Sequence, residues 1–150
     1  MAFTQKDKQK HGATFEREFK KALTTYGEWG HKLICDGFTP QPFDFIFTLG
    51  GRVYGAELKS TMNDTLPFSA IRESQRIGLT AFNNKTDGLS SFVFIKDCNE
   101  NLIYVVPWYH VKDDVCSGKR GSIDYKNYVS IGKNNGVWDI KELKNAICEF

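Results

Sequence analysis

Apolar residues recur at helical spacing in three stretches of the chain, residues 13–27, 68–83 and 139–148. The apolar stripes of these predicted helices are Phe15, Phe19, Ala22, Leu23 and Tyr26, then Phe68, Ile71, Leu79 and Phe82, and finally Ile140, Leu143 and Ile147. Gly27 is a typical stop signal after the first stripe. A short fourth helix is expected near residues 108–115.

Shorter apolar runs predict strands over residues 32–35, 43–48, 52–59, 91–96 and 102–106. Gly50-Gly51 separates the second run from the third, and such a pair between two strands is a strong hairpin signal. The order of these elements predicts an α/β fold, in which a mixed central β-sheet is flanked by helices.

The chain of 150 residues fits a single domain, and no apolar run approaches the length of a membrane span. The polar N-terminus lacks the apolar centre of a signal peptide, so we expect a cytoplasmic protein without a membrane partner. Four cysteines and three histidines are dispersed, without the close spacings of a structural zinc site. We therefore expect free, mostly buried thiols rather than zinc ligands or disulfides.

The distribution of charge is more informative than its total, which is +2. Residues 1–11 are expected to form a flexible basic arm. The basic residues in and just after this arm that are candidates for contacts with phosphates are Lys6, Lys8, Lys10 and Arg17. On charge alone, a solvated tail explains the same residues equally well.

The register of the predicted hairpin brings two acidic residues together. If Gly50 and Gly51 form a two-residue turn, Asp44 lies opposite Glu57, with Cβ atoms about 4.5–5.5 Å apart on one face of the sheet. The strand period of two places Lys59 on the same face, about 6.6 Å along from Glu57. The neighbouring residues are largely apolar, and facing like charges in such a sheet are destabilising.

A cation between the two carboxylates removes this penalty, and Mg²⁺ commonly takes one or two carboxylates together with water and substrate phosphate. We therefore expect Asp44 and Glu57 to bind a metal ion, and Lys59 to orient or deprotonate an attacking water. The alternative is a solvent-facing hairpin, in which Glu57 and Lys59 are ordinary surface charges.

Polar residues on the predicted helices can complete the site. Glu16 lies beside the first apolar stripe and can point toward the metal, or it is a boundary residue favoured by the helix dipole. Gln75 falls within the second stripe and needs a hydrogen-bond partner, either in the active site or on nearby backbone. Arg72 and Arg76, one turn apart, are placed to meet a phosphate backbone or are solvated helix charges.

Together these residues resemble the PD-(D/E)xK nuclease superfamily, with Phe43-Asp44 in place of Pro-Asp. Within it, the chain is similar to Holliday junction resolvases of the RecU type over roughly residues 12–107. The matching segments are Gly12-Ala13-Thr14-Phe15-Glu16, Phe43-Asp44-Phe45, Gly55-Ala56-Glu57-Leu58-Lys59, and Leu66-Pro67-Phe68 with Gln75. The stretch Phe15-Glu16-Arg17-Glu18 is also similar to the archaeal junction resolvases, which share the same core.

The resemblance implies a restriction-endonuclease-like core and a metal-dependent endonuclease that acts on DNA rather than on a small molecule. It makes Asp44 and Glu57 ligands of Mg²⁺ or Mn²⁺, and Lys59 the catalytic lysine. Glu16 becomes an acid near the metal, and Gln75 an auxiliary residue of the site. The resemblance also implies a homodimer that makes paired nicks across a four-way junction.

The chain departs from the RecU pattern in one respect. RecU proteins carry a long stalk insertion before the catalytic Asp, whereas only residues 36–43 are available here, too few for such a projection at ~3.3 Å per residue. The junction preference that the stalk provides is therefore in question for this chain.

Two other functions stay open on the sequence alone. A duplex-cutting restriction or repair nuclease would need a base-reading element, for which residues 108–124 are the poorly assigned candidate. A catalytically silent DNA-binding module of the same fold would need no catalytic residues, so the joint presence of Asp44, Glu57 and Lys59 argues against it.

Overall fold

The structure, a computed structural model, describes residues 4–34, 37 and 41–150. Its strands are β1 (Gly30–Lys32), β2 (Phe45–Leu49), β3 (Arg52–Thr61), β4 (Leu66–Pro67), β5 (Ser91–Asp97), β6 (Leu102–Pro107), β7 (Ser122–Ile123), β8 (Ser130–Ile131), β9 (Lys133–Asn134) and β10 (Val137–Trp138). Its helices are α1 (Gln5–Thr25), α2 (Glu73–Lys85), α3 (Trp108–Val115) and α4 (Ile140–Cys148), with short 3-10 helices at Phe68–Ala70 and Tyr125–Asn127.

Six strands form the central sheet, in the order β1-β2-β3-β5-β6-β8. β3 and β5 are parallel, and the other neighbouring pairs are antiparallel. The connection between β3 and β5 contains α2, because a parallel pair requires a crossover. The sheet is therefore mixed, as predicted.

Helices cover both faces of this sheet. α1 and α4 pack on one face, in a cluster that includes Phe19, Leu143 and, from β3, Ala56 and Leu58. α2 and α3 pack on the other face with the remaining apolar residues of β5 and β6. Because side chains alternate along a strand, Glu57 and its neighbours two residues away point toward the α2 face.

α1 begins at Gln5 rather than near residue 13. The hydroxyl of Thr4 accepts a hydrogen bond from the Asp7 amide, and the Asp7 carboxylate accepts one from the Thr4 amide. Because of this capping box, the helix begins several residues before the first residue of its apolar stripe. Residues 5–11, which we expected to belong to a flexible arm, are the first turns of α1.

The second predicted helix, residues 68–83, is divided into the 3-10 helix Phe68–Ala70 and α2. The guanidinium of Arg76 donates to the Ile71 carbonyl at 2.7 Å and to the Phe68 carbonyl at 2.8 Å. The Arg76 side chain thus holds the backbone between the 3-10 helix and α2, where Ile71 has an extended conformation.

Smaller differences from the prediction concern the first strand and the cysteines. β1 spans Gly30–Lys32 rather than residues 32–35, and Cys35 lies outside the described residues. Cys116 and Cys148 are exposed, so the expectation of mostly buried thiols is wrong for both. None of the described helices combines the length and apolarity that a membrane crossing requires.

Candidate active site

A cleft of about 770 Å³ lies between the N-terminal half of α1, the start of β2, the C-terminal half of β3 and the segment that leads into α2. The predicted site residues that line it are Lys8, Glu16, Asp44, Glu57, Lys59, Arg72 and Gln75. All five candidates for catalysis therefore meet in one cavity, although they come from separate parts of the sequence.

The predicted hairpin register is confirmed from Leu49–Arg52 to Phe45–Ala56, where the pairing of β2 with β3 ends. Asp44 lies just before β2, and its amide donates to the Ala56 carbonyl at 3.1 Å. The Asp44 side chain nevertheless meets Glu57, because the two carboxyl groups are in hydrogen-bond contact. Glu57 is only 1% exposed and Asp44 9%, so the alternative of a solvent-facing hairpin is wrong for this pair.

The two carboxylates have unequal hydrogen bonding. Asp44 accepts from the Leu58 amide at 2.8 Å through Oδ2 and from the Gln41 side chain at 3.2 Å through Oδ1. In contrast, Glu57 Oε2 is buried and has no hydrogen-bond partner among the described residues. Burial raises the pKa of the Glu57 carboxyl well above its usual range, and the hydrogen bond and charge of Asp44 raise it further.

The unpartnered oxygen fits a divalent cation. Leaving a buried acceptor unsatisfied costs about 1–3 kcal/mol, and a cation between two carboxylates removes this cost together with their repulsion. Among the described residues, no group of three or more His, Cys, Asp or Glu side chains is placed to hold a metal. Asp44 and Glu57 would therefore hold it as a pair, and Mg²⁺ accepts such a set when water and phosphate complete it.

Lys59 is half-buried at the cleft, two residues beyond Glu57 on the same strand. Its positive charge and that of Arg72 lower the pKa of Glu57, but they do not offset burial and Asp44. The Lys59 ammonium forms no hydrogen bond or ion pair with the part of the chain that the structure describes. It is therefore available to a molecule in the cleft.

Glu16 lies in the cleft but pairs with Lys32, whose Nζ is 2.6 Å from Glu16 Oε2. The hydrogen bond to Glu16 is the main reason why the pKa of Lys32 is raised. Lys32 was not predicted, because a lone lysine on an edge strand carries no periodic signal. Its position depends on the close packing of β1 on α1, where a Cβ at Gly30 would lie 2.3 Å from Leu23 Cδ1.

Gln75 and the two predicted arginines have different environments. Gln75 is buried, and its Oε1 accepts from the Arg72 amide at 2.8 Å, so its partner is nearby backbone. Arg72 is exposed at the rim of the cleft. The guanidinium of Arg76 donates to two backbone carbonyls, which favours a structural role over the predicted phosphate contact.

The other predicted DNA contacts lie on α1. Lys8 lines the cleft, whereas Lys6, Lys10 and Arg17 are exposed on the same helix but do not line it. The N-terminal basic residues are thus carried on a helix beside the site rather than on an extended arm.

Comparisons with known proteins identify the fold. No protein-family model and no curated protein matches the chain. Among solved structures, the chain is similar to Hjc of Archaeoglobus fulgidus, a Holliday junction resolvase from an archaeal hyperthermophile. The TM-score is 0.63 at 18% sequence identity, over 89% of this chain and 99% of that chain. The chain therefore has the fold of this archaeal resolvase, a mixed sheet flanked by helices, as the sequence resemblance predicted.

Proposed function

We propose that the protein is a DNA endonuclease that depends on Mg²⁺ or Mn²⁺ and nicks four-way junctions as a homodimer. The observation that carries the proposal is the buried Asp44–Glu57 pair, with one unpartnered oxygen and Lys59 beside it in an open cleft. The likeness of the fold to a Holliday junction resolvase supports DNA junctions as the substrate. Assignment to the RecU type stays a prediction.

The residues of the cleft have distinct roles in this proposal. Asp44, oriented by the Leu58 amide and by Gln41, would hold the metal together with Glu57. A divalent cation bound there supplies Lewis-acid stabilisation of the phosphoryl group and promotes loss of a proton from water. Lys59 would orient the attacking water and offset the negative charge that develops on the phosphate.

Basic residues around the cleft would position the DNA backbone. Lys8, Lys32 and Arg72 line the cavity and can bind phosphates on either side of the cleaved bond. Lys6, Lys10 and Arg17 would extend this contact along α1. Glu16 would hold Lys32 in place rather than bind the metal directly, because the two side chains are already paired.

The test is a cleavage assay with Mg²⁺, a labelled four-way junction and linear duplexes made from its arms. We expect symmetric cutting of the junction alone, loss of cutting in Asp44→Asn, and normal cutting in Asp113→Asn, an exposed acidic residue on α3. Equal cutting of both substrates would indicate a duplex nuclease instead. Absence of cutting by the wild type, even with Mn²⁺, would indicate a silent DNA-binding module.

A further inference from the structure

An exposed aromatic pair, Trp29 and His31, lies at the edge of the sheet. Trp29 is 57% exposed, whereas Trp108 and Trp138 are buried. The rings of Trp29 and His31 are nearly parallel, with 14° between their planes and 6.1 Å between their centroids. The pair therefore presents two aligned aromatic rings at the surface.

This pair shares a face of the sheet with the proposed active site. His31 pairs with Ile46, which lies two residues beyond Asp44 on the same chain segment. Ile46 pairs in turn with Gly55, and Glu57 lies two residues beyond Gly55 on β3. Because side chains alternate along a strand, His31, Ile46 and Glu57 point to the same side of the sheet. The Leu33 amide donates to the Asp44 carbonyl at 2.7 Å, and Trp29 lies four residues before Leu33, at the other end of β1. That separation is about 13 Å, or a few base steps of about 3.4 Å.

The backbone of Trp29 is fixed, although its ring is exposed. Its amide donates to the Thr48 hydroxyl at 3.1 Å, and its carbonyl accepts from the Thr48 amide at 2.8 Å. The carboxylate of Glu28 accepts from the Thr48 hydroxyl at 3.1 Å and from the Gly50 amide at 2.9 Å. The backbone that carries the exposed ring is thus held by the hairpin to which Glu57 belongs.

Rigid exposed aromatic rings next to positive charge are the features that bind unpaired nucleobases, which stack on the rings while cations contact the phosphates. Lys32 follows His31 directly and lines the cleft, so it supplies such a charge. Bases within a continuous duplex are already stacked on each other, whereas a branch point can expose unpaired bases.

We propose that the Trp29–His31 pair is a stacking platform for unpaired bases of a DNA strand whose phosphate lies against Asp44 and Glu57. This inference rests on the proposed nuclease function and specifies how branched DNA is distinguished from duplex. A base on the platform would hold the strand a few steps from the bond to be cut.

The test measures binding without cleavage, in EDTA, by fluorescence anisotropy. The probes are a labelled junction with two unpaired thymines at its branch point and a linear duplex of matching sequence. We expect Trp29→Ala to weaken binding of the junction about tenfold or more and of the duplex less than about twofold. Trp29→Phe, which keeps an aromatic ring, retains most of the affinity. Tyr109→Ala, which removes an exposed aromatic ring from α3, is the matched control.

Tryptophan fluorescence gives an independent readout, because Trp29 is the exposed one of the three tryptophans. We expect the junction to quench emission of the wild type, and this quenching to disappear in Trp29→Phe. Unchanged junction affinity in Trp29→Ala would overturn the platform, and so would equal weakening for both DNAs. Conversion of a dimer to a monomer by Trp29→Ala, measured by sedimentation, would overturn it in favour of an interface between two copies.

The platform and the proposed function fail in different ways. A wild type that binds no DNA would contradict both. A wild type that binds the junction through Trp29 but cuts nothing in Mg²⁺ or Mn²⁺ would contradict the nuclease function and leave the platform standing.

Discussion

Glu57 and Asp97 are each 1% exposed, but only Asp97 has hydrogen-bond donors for both of its carboxylate oxygens. Asp97, the last residue of β5, accepts from the amides of Asn99 at 2.8 Å and Glu100 at 3.1 Å. It also accepts from the Tyr125 hydroxyl at 3.2 Å, and Lys126 Nζ lies 3.1 Å away. Glu57 instead faces another carboxylate and leaves one oxygen without a donor.

The two environments move the pKa values in opposite directions. Burial by itself raises the pKa of both groups. At Asp97, the hydrogen bonds from the Glu100 amide, Lys126 and the Asn99 amide outweigh burial and hold the pKa below its ordinary value. At Glu57, burial and Asp44 act together and raise it. Buried carboxylates that stabilise the fold receive donors, whereas a carboxylate left without them marks a place where a ligand binds.

The largest expected effect is on activity. Glu57→Gln is expected to lower the rate of junction cleavage about 1,000-fold or more, because it removes a proposed metal ligand. Its free energy of unfolding is expected to stay the same or to rise, since the substitution removes a charge that burial disfavours. Cleavage rates and urea denaturation of the same preparation check both results. A strongly destabilised Glu57→Gln would contradict the contrast with Asp97.

Asp97→Ala is expected to act on stability instead. It should lower the free energy of unfolding by about 3 kcal/mol, because the substitution leaves buried donors without their acceptor. Urea denaturation measures this change. The control is Glu100→Ala, which removes an exposed carboxylate that is paired with Lys126. It should lower the free energy of unfolding by about 1 kcal/mol or less. A loss below about 0.5 kcal/mol for Asp97→Ala would show that the network does not stabilise the fold.

The contribution of Asp97 should depend on pH. Its pKa in the folded protein lies below the ordinary value of 3.8, so its stabilising effect is present above pH 3.8 and is lost as the pH falls through the folded-state pKa. The difference in unfolding free energy between wild type and Asp97→Asn should therefore shrink below that pH. Urea denaturation at neutral pH and in a series of acidic buffers measures the difference. A constant difference across the series would contradict the assignment.

The smallest expected effects distinguish Arg72 from Arg76. Arg72→Ala should reduce the slope of log affinity for DNA against log salt by about 1 without changing stability. Arg76→Ala should leave that slope unchanged and cost about 1–2 kcal/mol of unfolding free energy, because its guanidinium holds the backbone before α2. Salt titrations of binding and denaturation curves separate the two, and exchanged phenotypes would refute the assignment.

Local pattern was sufficient to predict the centre of the site. The Gly50-Gly51 turn fixes the register of β2 and β3 as far as Phe45–Ala56. This register brings Asp44, the residue before Phe45, next to Glu57, the residue after Ala56. The early start of α1 also had a local signal, Thr4 followed three residues later by Asp7, but residues 5–12 are too polar to show an apolar stripe.

Features that depend on distant contacts could not be predicted. The pairing of Lys32 with Glu16 requires β1 to lie against α1. The hydroxyl of Tyr125 donates to the Asn63 carbonyl and to Asp97, which are far from it in the sequence. Strands of two residues, such as β7, are too short to show a period of two.

The most direct test of the account is the binding of Mn²⁺, measured by isothermal titration calorimetry in the absence of DNA. The wild type is predicted to bind the ion, Asp97→Asn to bind it with similar affinity, and Glu57→Gln to lose at least about tenfold in affinity. Equal affinity of Glu57→Gln and wild type would contradict the claim that the uncompensated carboxylate pair is a metal site.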